Sequence, residues 1–149
     1  MPNPFRAILV PTDISADAAA ALDLAIELAT DGGAAIHLLH AYEIPISAVS
    51  PYGIEVPPSL ATDVRDAAAR RLEQSAAKVR SRGVHCDAHL IHAPPVDGIV
   101  DAAGSLRADL VVMGTRGLTG LKHVLLGSVA ERTIRSAPCP VLTVKPRPK

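Results

Sequence analysis

The chain has few aromatic residues and only two cysteines, and its positive and negative charges cancel. Among 149 residues there are one Phe, two Tyr and no Trp, so aromatic residues make up 2% of the chain. Hydrophobic residues still make up 48%. The core must therefore consist mainly of Val, Ile, Leu and Ala, which is typical of helices packed on a parallel sheet.

The balance of charge excludes an extended polyanion-binding surface. Fifteen basic and fifteen acidic residues give a formal net charge of zero, so we expect no binding to nucleic acid or to an anionic membrane. No hydrophobic run approaches the roughly 18 residues that span a bilayer, and Met1–Arg6 does not resemble the start of a signal peptide. The sequence predicts a cytoplasmic protein in which any anion site is local.

The cysteine pattern provides neither a disulfide framework nor a metal-binding pair. Cys86 lies close to His85, His89 and His92, which invites comparison with a zinc site. On a strand, however, His85 and His89 share one face while Cys86 and His92 point the other way. We therefore expect no metal there. Cys139 stands between two prolines without an adjacent base, so we expect it to be a core residue rather than a nucleophile.

Strand-like and helix-like segments alternate along the chain. Apolar runs predict strands at 7–10, 35–42, 84–91, 109–113 and 140–144, and the third of these alternates enough to suggest an edge position. Between them, helical spacing predicts helices that begin near Ser15, Ser59, Pro94 and Ser128. This alternation predicts a single α/β domain over 1–149 with a doubly wound parallel sheet. The stretch 43–58 is long for a loop, a length typical of functional segments.

The segment after the fourth predicted strand combines glycines with a helix start. Gly114 and Gly117 are followed by Gly127 and Ser128, and Ser128 begins an S-x-x-E pattern typical of a capping box. Glycines allow a backbone to approach an anion closely, and a helix start adds free N–H groups. Ligands of such sheets bind beyond the carboxyl ends of the strands, where Pro11-Thr12-Asp13 also lies. The sequence therefore predicts a phosphate cradle.

With its spacing G-x-x-G-x9-G-[ST], this segment resembles the ATP-binding branch of the universal stress protein family. The beginning at 8–13 and the end at 137–142 resemble the family as well, and the likeness covers essentially the whole chain. It implies an open five-stranded sheet of order 3-2-1-4-5 with helices on both faces. It also implies a homodimer formed partly through the last strand.

The resemblance further implies ATP as the ligand, with Mg²⁺. Adenine and ribose would lie among Pro11, Thr12, Asp13, Ala41 and Met113. The phosphates would lie against the glycine loop, so the full candidate site comprises Pro11, Thr12, Asp13, Ala41, Met113, Gly114, Thr115, Arg116, Gly117, Gly127, Ser128 and Val129.

Several of these residues have alternative interpretations. Gly114 and Gly117 are also compatible with ordinary turns, Arg116 with a solvated loop, and Ser128 with either a helix cap or a phosphate ligand. A carboxylate about 4 Å from a phosphate charge meets roughly 4 kcal/mol of repulsion at an effective dielectric of about 20. Asp13 is therefore expected to contact ribose or adenine, unless Mg²⁺ bridges it to phosphate. It could instead cap the first helix or act as a phosphoacceptor.

The function implied by the resemblance is a nucleotide-dependent regulator or sensor of the stress response, with an unidentified protein partner. No evident general base is present, so efficient turnover is not expected. Two alternatives remain: a slow Mg²⁺-dependent ATPase or nucleotidyl-transfer enzyme using Asp13, and a nucleotide-free dimeric adaptor. The chain lacks G-x-x-x-x-G-K-[ST] and G-x-G-x-x-G, which argues against a P-loop enzyme and a dehydrogenase.

Overall fold

The structure, a computed structural model, describes residues 3–44, 57–116 and 126–146. Strands and helices alternate along the chain, which confirms the predicted α/β class. The elements are β1 (Ala7–Pro11), α1 (Ala16–Gly32), β2 (Ala35–Tyr42), α2 (Pro58–Ser81), β3 (Cys86–His92), α3 (Pro95–Ser105), β4 (Leu110–Gly114), α4 (Ser128–Ser136) and β5 (Val141–Val144).

The five strands form one parallel sheet of order β3-β2-β1-β4-β5, as the family resemblance implied. The chain builds outward from β1 to β3 and then crosses back to place β4 on the other side of β1. The carboxyl ends of β1 and β4 therefore flank the point where the strand order reverses, the usual position of a ligand crevice. β3 lies at an edge, in agreement with its alternating sequence.

Each face of the sheet carries its own hydrophobic core. On one face, Ile8 and Val10 of β1 pack with residues of α1 and α2, including Leu22 and Leu72. On the other face, Leu9 packs with residues of α3, β4 and α4. Because β1 is central, four of its five residues are buried and its sequence shows no polar alternation. Helices thus cover both faces, as expected.

The ends of α1 agree with their sequence signals. The Ser15 hydroxyl accepts a hydrogen bond from the Ala18 N–H, which makes Ser15 the N-cap. The helix ends at Gly33, whose φ of 70° lies in the left-handed region that glycine tolerates. Because α1 begins directly after the end of β1, the start of this helix lies at the rim of the crevice.

The predicted cap of α4 was wrong by one residue. Gly127, with an extended backbone, is the N-cap, and Ser128 is the first helical residue. The Gly127 carbonyl accepts the Glu131 N–H at 3.0 Å, so the first helical turn closes one residue earlier than the S-x-x-E pattern suggests. No side-chain cap bond is formed at this helix start. The Ser128 hydroxyl is consequently not committed to capping.

Other boundaries of helices and strands differ from the predicted ones by one or two residues. β3 begins at Cys86 rather than Val84, and α2 runs from Pro58 to Ser81 rather than from Ser59 to Arg82. The buried stripe of α2 is narrow and consists of Ala68, Leu72, Ala76 and Val79. Most of the predicted loop 43–58 lies outside the described residues. None of the described helices is long and apolar enough to cross a membrane.

Candidate functional site

A cavity of about 370 Å³ opens at the carboxyl ends of β1 and β4. It has the size of a typical small-molecule site. Except for Gly117, which lies outside the described residues, every residue of the predicted site lines it. The full lining is Pro11, Thr12, Asp13, Ala18, Leu39, Ala41, Pro95, Ile99, Met113, Gly114, Thr115, Arg116, Gly127, Ser128, Val129 and Ala130.

The loop after β1 is held in an unusual conformation. Ile14 has a φ of +66°, and a β-branched residue in the left-handed region is strained. The Thr12 hydroxyl accepts the Ile14 N–H at 3.0 Å, and Asp13 Oδ1 accepts the Ser15 N–H at 3.0 Å. These two bonds stabilise the turn and keep Thr12 and Asp13 at the cavity.

The neighbouring strand supports the same loop from behind. The His40 Nδ1–H donates to the Thr12 carbonyl at 2.7 Å, and the Thr12 N–H donates to the Leu39 carbonyl at 2.8 Å. His40, near the end of β2, therefore makes a specific hydrogen bond to this loop. Asp13 does not cap α1, since Ser15 does so. Its Oδ2 makes no hydrogen bond to another described residue.

The two glycines of the described loop are required by close packing, not by turn geometry. Among the described glycines only Gly33 and Gly83 have positive φ. A Cβ on Gly114 would lie 3.1 Å from backbone atoms of Asp17. A Cβ on Gly127 would lie 3.0 Å from the Thr115 carbonyl oxygen. The ordinary-turn interpretation is therefore wrong for Gly114, because its small size is what allows α1 to approach β4.

Backbone bonds fix the start of α4 beside the end of β4. The Gly127 N–H donates to the Thr115 carbonyl, and the Thr115 N–H donates to the Val144 carbonyl at 3.3 Å. Ser128, Val129 and Ala130, the first residues of α4, line the cavity. The first N–H groups of a helix have no intrahelical acceptor, so this end of the cavity is suited to an anion.

The cavity is also lined by apolar residues that the sequence interpretation missed. Leu39, Pro95, Ile99, Ala18 and Ala130 all line the cavity. Leu39 was detectable in principle, because it lies two residues before Ala41 and so shares its face of β2. The others come from helices whose approach to the cavity depends on tertiary packing, and no sequence signal marks them.

Only two charged side chains line the described part of the cavity, Asp13 and Arg116. Arg116 is not a freely solvated loop residue. Its Nε donates to Asp17 Oδ2 at 3.2 Å, and the two side chains are only 28% and 13% exposed. The loop after β4 is thus joined to the first turn of α1.

The histidine and cysteine residues of β3 divide between the two faces, as the strand geometry predicted. Cys86 packs in the core beneath α1 and α2, whereas His89 contacts His37 of β2, with 3.1 Å between His89 Nε2 and His37 Nδ1. Burial, followed by the neighbouring His89, lowers the pKa of His37. The described residues contain no group of three or more His, Cys, Asp or Glu side chains placed to hold a metal ion.

Both cysteines pack with core residues, Cys86 as a buried residue and Cys139 as a half-buried one. Cys139 packs against the cluster on the α3 and α4 face, and burial raises its pKa, with a smaller contribution from the charge of Asp109. Burial likewise raises the pKa of Cys86. A raised pKa leaves little thiolate at neutral pH. The packing of Cys139 agrees with the prediction that it is a core residue.

Comparison with known protein families identifies the family to which this chain is similar. The model of the universal stress protein family matches residues 4–145. The chain belongs to the universal stress protein family. It is 35% identical to universal stress protein MJ0531 of Methanocaldococcus jannaschii, over 99% of this chain and 85% of the relative. It is 36% identical to a universal stress protein of Thermus aquaticus, over 95% and 99% of the two chains.

Solved universal stress protein structures share the fold. The structure of MJ0577 from Methanocaldococcus jannaschii superposes with a TM-score of 0.84 at 29% identity, covering 97% of this chain and 99% of the other. A universal stress protein in complex with cAMP gives 0.68 at 24% identity, covering 94% and 96%. One from Archaeoglobus fulgidus in complex with dAMP gives 0.66 at 24%, covering 95% and 98%.

Proposed function

We propose that this universal stress protein binds ATP in the cavity between β1 and β4 and acts as a nucleotide-dependent regulator of the stress response. The observation that carries the proposal is the convergence of two distant motifs on one cavity. The loop 11–13 and the glycine segment around Gly114 and Gly127 both line it. The cAMP and dAMP complexes of proteins with this fold support an adenine nucleotide as the class of ligand.

The two ends of the cavity match the two ends of a nucleotide. Leu39, Ala41, Ile99 and Met113 provide an apolar wall suited to adenine. At the other end, the first turn of α4 presents backbone N–H groups suited to phosphate. A Cβ on Gly127 would lie 3.0 Å from the Thr115 carbonyl oxygen, so glycine at this position is what lets the start of α4 lie against the end of β4.

Asp13 is placed to contact ribose or a cation. Its Oδ1 is held by the Ser15 N–H, which leaves Oδ2 for a ribose hydroxyl. Magnesium is usually held by one or two carboxylates together with substrate phosphates. Asp13 is the only carboxylate among the described lining residues, so it fits a single protein ligand for Mg²⁺.

The scarcity of acidic and basic residues in the described cavity lining favours regulation over efficient catalysis. Apart from Asp13 and Arg116, no residue of the described lining carries an acid or base. Asp13 is tied to a backbone N–H, and arginine stays protonated, so neither is a good general base. Nucleotide occupancy would therefore act by changing the surface around the site. If the protein is instead a slow ATPase, its steady release of ADP should disappear in Asp13→Asn.

The experiment is calorimetric titration of ATP with Mg²⁺ into protein stripped of nucleotide. We expect saturable binding by the parent protein and by Gly104→Ala, whose added Cβ meets no atom within 4 Å. We expect no binding by Gly127→Val, because its Cβ would lie 3.0 Å from the Thr115 carbonyl oxygen and would displace the first turn of α4 from the end of β4. Folded, stripped parent protein that binds no ATP would contradict the proposal, and titration with other adenine nucleotides would then follow.

We also propose a homodimer that pairs through β5. This strand lies at an edge of the sheet, and Leu142 on it is 37% exposed. Ile134 of α4 is also exposed, at 46%. An apolar edge strand is usually covered by pairing, because its free N–H and C=O groups otherwise favour aggregation.

A further inference from the structure

The contact between Asp17 and Arg116 joins two segments that are 99 residues apart in the chain. Arg116 lines the cavity, whereas Asp17 is absent from the described lining. The carboxylate therefore lies behind the arginine rather than in the path of the ligand. Because both side chains are mostly buried, the pair is better ordered than an exposed ion pair.

Asp17 is itself held in a defined place. It lies in the first turn of α1, which is capped by Ser15. Its backbone and Cβ lie 3.1 Å from the position that a Cβ on Gly114 would take. This close approach sets the distance between α1 and the end of β4. The carboxylate is consequently presented to Arg116 from a rigid helix start.

The contact uses only one part of the guanidinium. Asp17 Oδ2 accepts from Nε, while the other N–H donors of Arg116 are on its two terminal nitrogens. Those terminal groups make no hydrogen bond to another described residue. An arginine fixed through Nε keeps its terminal nitrogens for a planar, two-point contact with phosphate.

The geometry points to Asp17 as a positioning residue for phosphate recognition: it holds Arg116 through Nε so that the terminal nitrogens meet the phosphates of the bound nucleotide. This inference rests on the proposed function and makes it more specific. Asp17 then raises affinity for the phosphate part of the ligand and contributes nothing to the recognition of adenosine. Part of the discrimination between ATP and adenosine thus depends on an acidic residue outside the described cavity lining.

The test is to titrate ATP and adenosine separately into the parent protein and into Asp17→Asn, Asp17→Glu, Arg116→Gln and the double variant Asp17→Asn/Arg116→Gln. We expect Asp17→Asn to weaken ATP binding about tenfold, as for loss of one charge-assisted hydrogen bond, and to leave adenosine binding unchanged. Asp17→Glu, which keeps the carboxylate, should recover most of the affinity for ATP. In the Arg116→Gln background, Asp17→Asn should have no further effect.

A matched control removes a different carboxylate from the same helix. Asp23 of α1 accepts from Lys78 Nζ at 2.8 Å on the exposed side of the protein. We expect Asp23→Asn to bind both ligands like the parent. A general effect of lost negative charge would weaken or strengthen both variants alike, and that result would overturn the positioning role.

Other outcomes overturn the inference in distinguishable ways. Tighter ATP binding by Asp17→Asn would show that Asp17 competes with phosphate for Arg116. Equal weakening of ATP and adenosine, persisting in the Arg116→Gln background, would show a purely structural role. If the parent binds neither ligand, the proposed function fails and this role for Asp17 fails with it.

Discussion

At the scale of single residues, Asp109 is an acid that anchors the first strand. Its Oδ2 accepts the N–H groups of Arg6 at 2.8 Å and Ala7 at 3.0 Å, just where β1 begins beside β4. These two bonds hold the pKa of Asp109 below its ordinary value of 3.8. The folded state therefore favours the ionised carboxylate, and stability is linked to pH through this group.

We expect Asp109→Ala to lower the free energy of unfolding by about 1–2 kcal/mol at pH 7, from the loss of hydrogen bonds to a charged acceptor. Because the folded pKa is depressed, the contribution is present above pH 3.8 and is lost as the pH falls through the lower folded value. Urea unfolding between pH 7 and pH 3 measures the difference. Asp101→Ala, at an exposed position of α3, is the control, and an equal loss of stability there would refute the assignment.

Thr133 presents the opposite case, a buried polar group without a partner. Its side chain is fully buried in α4, and its hydroxyl has no hydrogen-bond partner within the described structure. We expect Thr133→Val, which keeps the shape and removes the hydroxyl, to raise the free energy of unfolding by about 1 kcal/mol. Thr133→Ser should lower it, since it keeps the hydroxyl and removes a buried methyl. The urea midpoints of both variants test this, and a less stable Val variant would contradict it.

At the scale of elements, the two glycines of α3 differ in the space available for a side chain. A Cβ on Gly104 would meet nothing within 4 Å, whereas a Cβ on Gly98 would lie 3.3 Å from the Cβ of Ala41. Ala41 belongs to the wall of the cavity. The small size of both Gly98 and Ala41 therefore allows α3 to approach β2 at the site.

We expect Gly104→Ala to stabilise the protein by about 0.5–1 kcal/mol through reduced backbone entropy of the unfolded chain. Gly98→Ala should not produce this increase in stability and should weaken nucleotide binding, because Ala41 must shift by a few tenths of an ångström. Thermal unfolding and calorimetric titration of the two variants provide the comparison. Equal stability and equal affinity in both would show that the contact at Gly98 has no consequence.

At the scale of the whole molecule, the proposed dimer depends on the exposed edge at β5. We expect a dimer in sedimentation experiments at micromolar concentration and a monomer for Leu142→Lys, because a charge on a sheet edge opposes pairing. Leu60 is exposed to the same extent, 37%, but belongs to α2, which packs on β2 and β3 and not on β5. Leu60→Lys should therefore remain a dimer. A monomeric parent protein would refute the interface.

Much of this organisation was predictable because its signals are local. The buried run of β1 and the start of α1 near Ser15 each depend on neighbouring residues, and both were predicted to within one residue. The cap of α4 was misplaced because Gly127 and Ser128 are both acceptable caps in isolation. The choice between them depends on the bond from the Gly127 N–H to Thr115, a residue of another segment.

The sequence by itself determined the order of the elements, the buried character of the central strand and the glycine pattern that marks the universal stress protein family. Only the tertiary structure decided that Asp17 holds Arg116, that Gly114 and Gly127 are glycines for reasons of close packing, and that Pro95 and Ile99 line the cavity. Periodicity and capping act over a few residues, whereas these contacts join remote segments. Their geometry is set by the parallel register of β1 with β2 and β4 and by the packing of helices on the two faces of the sheet.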